Sequence, residues 1–232
     1  MRAIKLSAVV LTAIVVGAAS ASAQAEVSRA VSGGGVMIPG WMGRIDAGEA
    51  KNGAVLENAK LTKEGNDMHV VTGPALVYWN PSNTASGNYM VSATFKEPQY
   101  MNLNSHPHPY GIMIAGNDLG TENQTYLYCA AYGSGNFIVR GMGPAPFQMN
   151  GRGAAAPSVN KAAAKGEAVS QAITMSVMGD KVECAINGAV VWSADKASLL
   201  GPGKLKSLDG TYGIRSGHNT EVMVSGLSVM KH

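Results

Sequence analysis

The pattern most typical of a metal site is His106-Pro107-His108, which lies in a proline-rich stretch. In an extended backbone the side chains of residues i and i+2 project to the same side, so the two imidazoles could bind one divalent cation. Asp118 is a further candidate ligand. The alternative is an exposed loop whose histidines have no chemical role.

Five oxygen-bearing side chains crowd one short connection: Asn117, Asp118, Glu122, Asn123 and Gln124. Such a connection can bind Ca²⁺ or another divalent metal, although its spacing does not match an EF-hand loop. It can also donate and accept hydrogen bonds with a sugar, for which Asn117 and Gln124 are our candidates. An ordinary polar turn is the third possibility.

Aromatic and guanidinium side chains come next along the chain. In 126–132, Leu127 and Cys129 alternate with Tyr126 and Tyr128, and Arg140 falls on the tyrosine face of the returning strand. Aromatic rings stack on the C–H faces of sugars, and arginine binds hydroxyls or carboxylates. We therefore predict an open ligand platform, with a face covered by a loop as the alternative.

His218 is the candidate general base, and Arg215 is a candidate ligand-binding residue at the rim of the same sheet. Several catalytic signatures are absent from the sequence, namely Gly-x-Ser-x-Gly, the Walker loop, HExxH and CxxC. The acidic residues are scattered, and no retaining glycosidase pair is evident. These absences disfavour the common hydrolase chemistries.

Alternating apolar residues predict ten to thirteen short strands and no long helix after the N-terminus. The best-patterned strands are Ile173–Val177 and Val182–Ile186, followed by an Asn187-Gly188 hairpin turn. In Glu221–Val229 the apolar register changes across Gly226, as at a β-bulge. No repeat of 20–50 residues is present. We predict an all-β, single-domain, two-sheet antiparallel β-sandwich.

The N-terminus has the pattern of an export signal over residues 1–23. Arg2 and Lys5 precede the apolar run Leu6–Ala18, and Ala21-Ser22-Ala23 is a small-residue cleavage site. We expect a periplasmic or secreted protein cleaved near Ala23, a flexible leader over 24–37, a sandwich domain over 38–232 and no membrane span in the mature chain. Because the formal net charge of +3 includes both signal cations, nucleic acid is not an expected partner.

The chain has two cysteines, Cys129 and Cys184, and both are predicted to point into the core. If their hairpins belong to one meander, two strands separate them and the Cα atoms lie about 14 Å apart, beyond the ~7 Å limit of a disulfide. Free core thiols are therefore favoured. A disulfide between them remains the alternative prediction, because exported proteins fold in an oxidising compartment.

The C-terminal third resembles the end of concanavalin A-like (laminin-G-like) jelly rolls. The resemblance rests on 173–195 with its Asn-Gly turn, on 210–218 (GTYGIRSGH) and on 222–229. Within that superfamily the chain is most similar to the bacterial 3-keto-disaccharide hydrolase domain. Ser170-Gln171 stands where that family often has Trp-Asn, and Arg215 stands where it often has glutamine.

Together these patterns predict an exported protein that binds carbohydrate, or another small polar ligand, on the concave sheet of a jelly roll. The resemblance implies an alternative, a glycoside-cleaving hydrolase or lyase of the 3-keto-disaccharide hydrolase type. There His218 would be the base, and a metal at His106/His108 or Asp118 would polarise the ketone. A structural or adhesion module without a catalytic site is the third reading.

Overall fold

The computed structural model describes residues 27–144, 146–150 and 153–232. The predicted signal peptide and its cleavage site lie outside these residues. Helical segments are short: α1 is Ala47–Lys51, α2 is Lys196–Leu199, and a 3₁₀ turn covers Leu56–Asn58. None of the helices in the described residues is long and apolar enough to cross a membrane.

Most of the described chain forms β-strands. In chain order they are β1 Gly35–Val36, β2 Met42–Ile45, β3 Ala59–Glu64, β4 Asp67–Thr72, β5 Leu76–Ala85, β6 Tyr89–Glu97, β7 Tyr110–Asn117, β8 Thr125–Ala131, β9 Asn136–Met142, β10 Pro146–Gln148, β11 Ala154–Ala155, β12 Val169–Met178, β13 Lys181–Ile186, β14 Ala189–Asp195, β15 Gly210–Ser216 and β16 Glu221–Lys231.

The strands form two sheets. The first sheet has the order β1-β3-β4-β16-β6-β12-β13-β14, and the second has the order β10-β9-β8-β7-β15-β5-β2, with β11 paired to β9. Apart from the parallel β1–β3 pair, the strand pairs described are antiparallel. The prediction of a single-domain, two-sheet β-sandwich is confirmed.

The main core lies between the two sheets and is built by strand alternation. Leu127 and Cys129 of β8 point into it, whereas Tyr126 and Tyr128 point to the outer face of the second sheet. Because successive side chains of a strand project to opposite faces, one apolar set packs in the core between the two sheets and the other lies on the outer face. That outer face carries the candidate site.

The two cysteines form a disulfide, with a Cα–Cα distance of 6.3 Å between Cys129 and Cys184. The preference for free thiols was therefore wrong. Its error was the assumption of one meander: β8 belongs to the second sheet and β13 to the first, so the two residues face each other across the core. The bond joins the two layers of the sandwich.

The part of the predicted flexible leader that the structure describes contacts the sandwich. Gly35–Val36 pairs with β3 as β1, and the backbone N–H of Arg29 donates to Asn219 Oδ1 at 2.8 Å. At Gly34, an added Cβ would lie 1.9 Å from the carbonyl oxygen of Glu57, so glycine permits this close approach. Contacts with the sandwich therefore begin before residue 38.

Candidate functional site

Three histidines meet at one end of the second sheet. His106 and His108 lie in the loop before β7, and His218 lies in the turn after β15. These strands are neighbours, with Tyr110 paired to Ser216, so the register brings the loop and the turn together. Each histidine offers a ring nitrogen, and the nitrogens lie within 4.8 Å of one another. The sequence contains these residues, but only the strand order shows that they meet.

Asp118 does not lie with the histidines. It follows β7 at the opposite end from His108, about 25 Å away at the rise of an extended strand. Its carboxylate forms an ion pair with Lys206 Nζ at 2.8 Å. Glu122 of the same connection pairs with Arg44 at 2.5 Å. The two carboxylates of the predicted Ca²⁺ connection are therefore paired with basic side chains, and Asp118 is too far from His106 and His108 to share a metal ion with them.

The predicted tyrosine platform is on the outer face of the second sheet, but it is not open. The exposed fraction is 0% for Tyr126 and 2% for Tyr128. Their rings pack in a second apolar cluster with Trp79 and Met113, and Leu119 lies against it. The tyrosines therefore support the surface above them. The sequence predicted the correct face of the sheet for these tyrosines, but it did not predict the segments that cover that face.

Arg215 is buried beside Tyr128 and forms a bidentate ion pair with Asp46. Its Nη1 and Nη2 donate to the two carboxylate oxygens at 2.5 and 2.6 Å, and its guanidinium carbon lies 5.1 Å from the centre of the Tyr128 ring. Burial alone would lower the pKa of Arg215, but the Asp46 carboxylate outweighs it and holds that pKa above its usual range. Arg215 is therefore part of the floor, whereas the sequence placed it at the rim.

A pocket of about 520 Å³ lies above this floor. Its polar lining includes Arg44, Asp46, Glu49, Asn52, Thr121, Glu122, Gln124 and His218, and Met142, Pro144 and Pro146 add apolar surface. Two residues predicted for the site, Gln124 and His218, lie here. The side chain of Asn117 instead donates to the Asp209 carbonyl at 2.9 Å, and Arg140 is a half-buried residue of β9.

Sequence reasoning missed Arg44 of β2, Glu49 of α1 and Asp46, the residue between these two elements. Glu49 Oε1 lies 3.4 Å from His218 Nδ1, and Glu49 Oε2 accepts a hydrogen bond from Ser28 at 2.7 Å. Residues 43–52 show only a turn-rich composition, so no local motif could have assigned them. Their place above the sheet follows from the pairing of β2 with β5.

Comparison with known proteins gives matches in structure alone. No family model matches the chain, and no curated protein matches it. The carbohydrate binding module CBM66 from Bacillus subtilis aligns with a TM-score of 0.54 and 8% identity, covering 85% of this chain and 99% of that chain. A protein of unknown function from Bacillus subtilis, described as having a galectin-like fold, aligns with a TM-score of 0.55 and 14% identity. The alignment covers 82% of this chain and 89% of that chain. This chain has that fold. At such identities the likeness does not extend to activity.

Proposed function

We propose that the chain is a carbohydrate-binding β-sandwich and that the sugar occupies the pocket above Asp46 and Arg215. The observation that carries this proposal is the mixed lining of that pocket. A hydroxyl both donates and accepts hydrogen bonds, and the pocket offers it the guanidinium of Arg44, the carboxylates of Glu49 and Glu122 and the amide of Gln124. Its volume of about 520 Å³ lies within the usual range of small-molecule pockets.

This site differs from the platform that the sequence suggested. Tyr126 and Tyr128 are too deeply buried to stack on a sugar. Their contribution is to hold Arg215, and through it Asp46, in one position. A fixed floor reduces the side-chain ordering that binding would otherwise require. The fold shared with a carbohydrate binding module agrees with this function without locating the sugar.

The pocket is tested by a double variant, Glu122→Gln with Gln124→Ala, and a matched one, Glu183→Gln with Gln99→Ala, on surfaces away from the pocket. The chain is first screened against an array of mono- and disaccharides. The best binder is then titrated calorimetrically into each variant. Because a hydrogen bond to a charged group contributes about 1.5–3 kcal/mol, we expect at least a ~10-fold loss of affinity in the pocket variant alone. Equal sugar affinities of the pocket variant and the matched variant would refute this pocket as the binding site. An array in which no sugar binds would refute carbohydrate binding as the function.

We also propose that the protein is exported to the periplasm or secreted. The charged, apolar and small-residue regions of 1–23 support this localisation, and so does the disulfide between Cys129 and Cys184. Disulfides persist in oxidising compartments and are rare in the cytosol. Intact mass of the protein recovered from the expressing cell is the test, with a chain starting at Gln24 as the expected result.

A second candidate function is cleavage of a 3-keto-glycoside, the activity suggested by the family resemblance. The observation that favours it is His218, which lines the pocket and lies 3.4 Å from the carboxylate of Glu49. In that reaction His218 would take the proton from the carbon beside the ketone. The electron pair would expel the glycosidic oxygen from the next carbon, and that oxygen would leave as an alcohol after taking the proton from His218. Water would then add across the double bond of the unsaturated ketone.

The two candidates predict different results with a 3-keto-glycoside and its unoxidised parent glycoside. An eliminating enzyme releases sugar only from the keto substrate, and His218→Asn abolishes the release whereas His69→Asn does not. A binding protein releases nothing from either compound. Release that survives His218→Asn would exclude His218 as the base.

A further inference from the structure

The histidine cluster of His106, His108 and His218 has the composition of a transition-metal site. The ring centres of His108 and His218 are 3.8 Å apart, and those of His106 and His108 are 4.3 Å apart. His108 is buried, with 8% of its surface exposed, whereas His106 is exposed to solvent. Imidazoles held this close repel one another if protonated, and as neutral rings their nitrogens become ligands.

The backbone around the cluster is held firmly. The N–H of Gly217 donates to the carbonyl of Pro109 at 2.7 Å, and the side chain of Asn104 donates to the carbonyl of Asn219 at 2.9 Å. These two bonds join the loop that carries His106 and His108 to the turn that carries His218. The loop and the turn therefore need no large rearrangement to present three rings to one ion.

The turn itself rests on buried hydroxyl groups. Thr72 Oγ1 donates to the carbonyl of Gly217 at 2.6 Å and accepts from the N–H of Thr220 at 3.0 Å. Ser216 and Thr220 share a further hydroxyl–hydroxyl bond at 2.5 Å. These contacts fix the backbone on both sides of His218. A preorganised ligand costs less to immobilise when the metal binds.

The two ring nitrogens of His218 have different surroundings. Nδ1 faces Glu49 Oε1 at 3.4 Å, whereas Nε2 is buried and makes no hydrogen bond within the described part of the chain. A buried polar atom without a partner is costly, and an ion that coordinates it removes that cost. Metal-bound histidines usually donate their other ring N–H to a carboxylate, and the carboxylate of Glu49 is placed 3.4 Å from Nδ1 of His218.

We propose that His106, His108 and His218 together bind a Zn²⁺ ion, with Glu49 orienting the His218 ring. Three imidazoles with a fourth position open to solvent are a ligand set typical of zinc. The solvent side is a cleft of about 390 Å³ that His106, His108, Tyr132 and Asn136 line. This proposal does not depend on sugar binding. It is an alternative to the role of His218 as a general base, because Nε2 would then be bound to the metal.

The test is a zinc titration of the purified chain, prepared without a polyhistidine tag and stripped with a chelator. We expect about one Zn²⁺ per chain with a Kd below ~1 μM. Replacing His106, His108 or His218 by Asn should weaken binding by at least ~100-fold. Glu49→Gln should weaken it by about 10- to 100-fold, because it disturbs only the orientation of a ligand.

The matched control is His69→Asn, since His69 lies between Glu64 and Glu221 on the first sheet and away from the cluster. Its zinc affinity should equal that of the unmodified chain. Co²⁺ gives a second measurement, because tetrahedral cobalt has visible absorption bands that should disappear in the His108 variant. Far-UV circular dichroism of each variant shows whether lost binding reflects lost folding.

Several results would overturn the proposal. One is zinc affinity that is unchanged in the three cluster variants, and another is affinity that is lost in His69→Asn. Binding weaker than ~100 μM in the unmodified chain would show a histidine cluster without a metal role. Selective binding of Cu²⁺ at the same three residues would overturn the assignment to zinc.

Discussion

Replacing Glu97 by Gln should stabilise the protein above neutral pH and leave it almost unchanged in mild acid. Glu97 ends β6, and only 6% of its surface is exposed. Its Oε1 accepts the N–H of Met101 at 3.1 Å, while Oε2 packs against the backbone of Gly133, where an added Cβ would lie 2.6 Å away. Burial raises the pKa of Glu97 from 4.5 to about 7, although the Met101 N–H and the Tyr110 hydroxyl lower it.

The direction of the pH dependence follows from the proton count. Between pH 4.5 and about 7, the folded chain keeps the Glu97 proton and the unfolded chain has lost it. The folded chain then binds more protons, so this carboxyl lowers the free energy of unfolding as pH rises through that window. A shift from 4.5 to about 7 corresponds to about 3 kcal/mol. Glutamine keeps the acceptor for Met101 and cannot ionise.

The measurement is urea unfolding between about pH 5 and about pH 8, with the disulfide intact, for the unmodified chain, Glu97→Gln and Glu57→Gln. Glu57 is exposed and serves as the control for loss of a negative charge. The stability of Glu97→Gln relative to the unmodified chain should rise by about 2.5 kcal/mol across this range, and Glu57→Gln should show no such rise. Parallel pH profiles for Glu97→Gln and the unmodified chain would refute the reasoning.

Two further predictions concern the bonds that hold the layers and the floor. Replacing both Cys129 and Cys184 by Ala should lower the free energy of unfolding by about 4 kcal/mol, because the bond closes a loop with a sequence separation of 55. Urea unfolding measures this change. A loss of stability below ~1 kcal/mol would contradict the chain-entropy argument. Asp46→Asn should cost about 3 kcal/mol or more by leaving the buried Arg215 guanidinium without a counter-charge. Adding Arg215→Met should restore part of that loss in thermal unfolding, and no restoration would show that Asp46 acts in another way.

The local features of the fold were predictable from the sequence. Alternation placed Leu127 and Cys129 on one face of β8 and Tyr126 and Tyr128 on the other, as found. The change of register at Gly226 also appears, as an irregularity in the pairing of β16 with β6 where Gly226 has a φ of +64°. Such features depend on neighbours in sequence and on steric rules, so a single chain is enough to find them.

The features that were missed depend on contacts between distant segments. Arg215 is 169 residues from Asp46, and nothing in the local pattern shows that this aspartate covers the tyrosine face. The strand order also decides that Cys129 faces Cys184, and that His218 meets His106 and His108 while Asp118 does not. Strand order is set by packing of the whole chain, which alternation and turn signals leave open.

The position of β16 has a consequence for how the chain reaches its folded state. This strand comes last in the chain but lies inside the first sheet, between β4 and β6. Until Glu221–Lys231 is available, both neighbours present unpaired backbone edges, and the sheet cannot close. The first sheet therefore stays incomplete during the synthesis of most of the chain. Chains truncated before Glu221 expose two unpaired strand edges that can pair with other chains. Folding must therefore follow the arrival of the C-terminal strand, because without it no strand joins β4 to β6 in the first sheet.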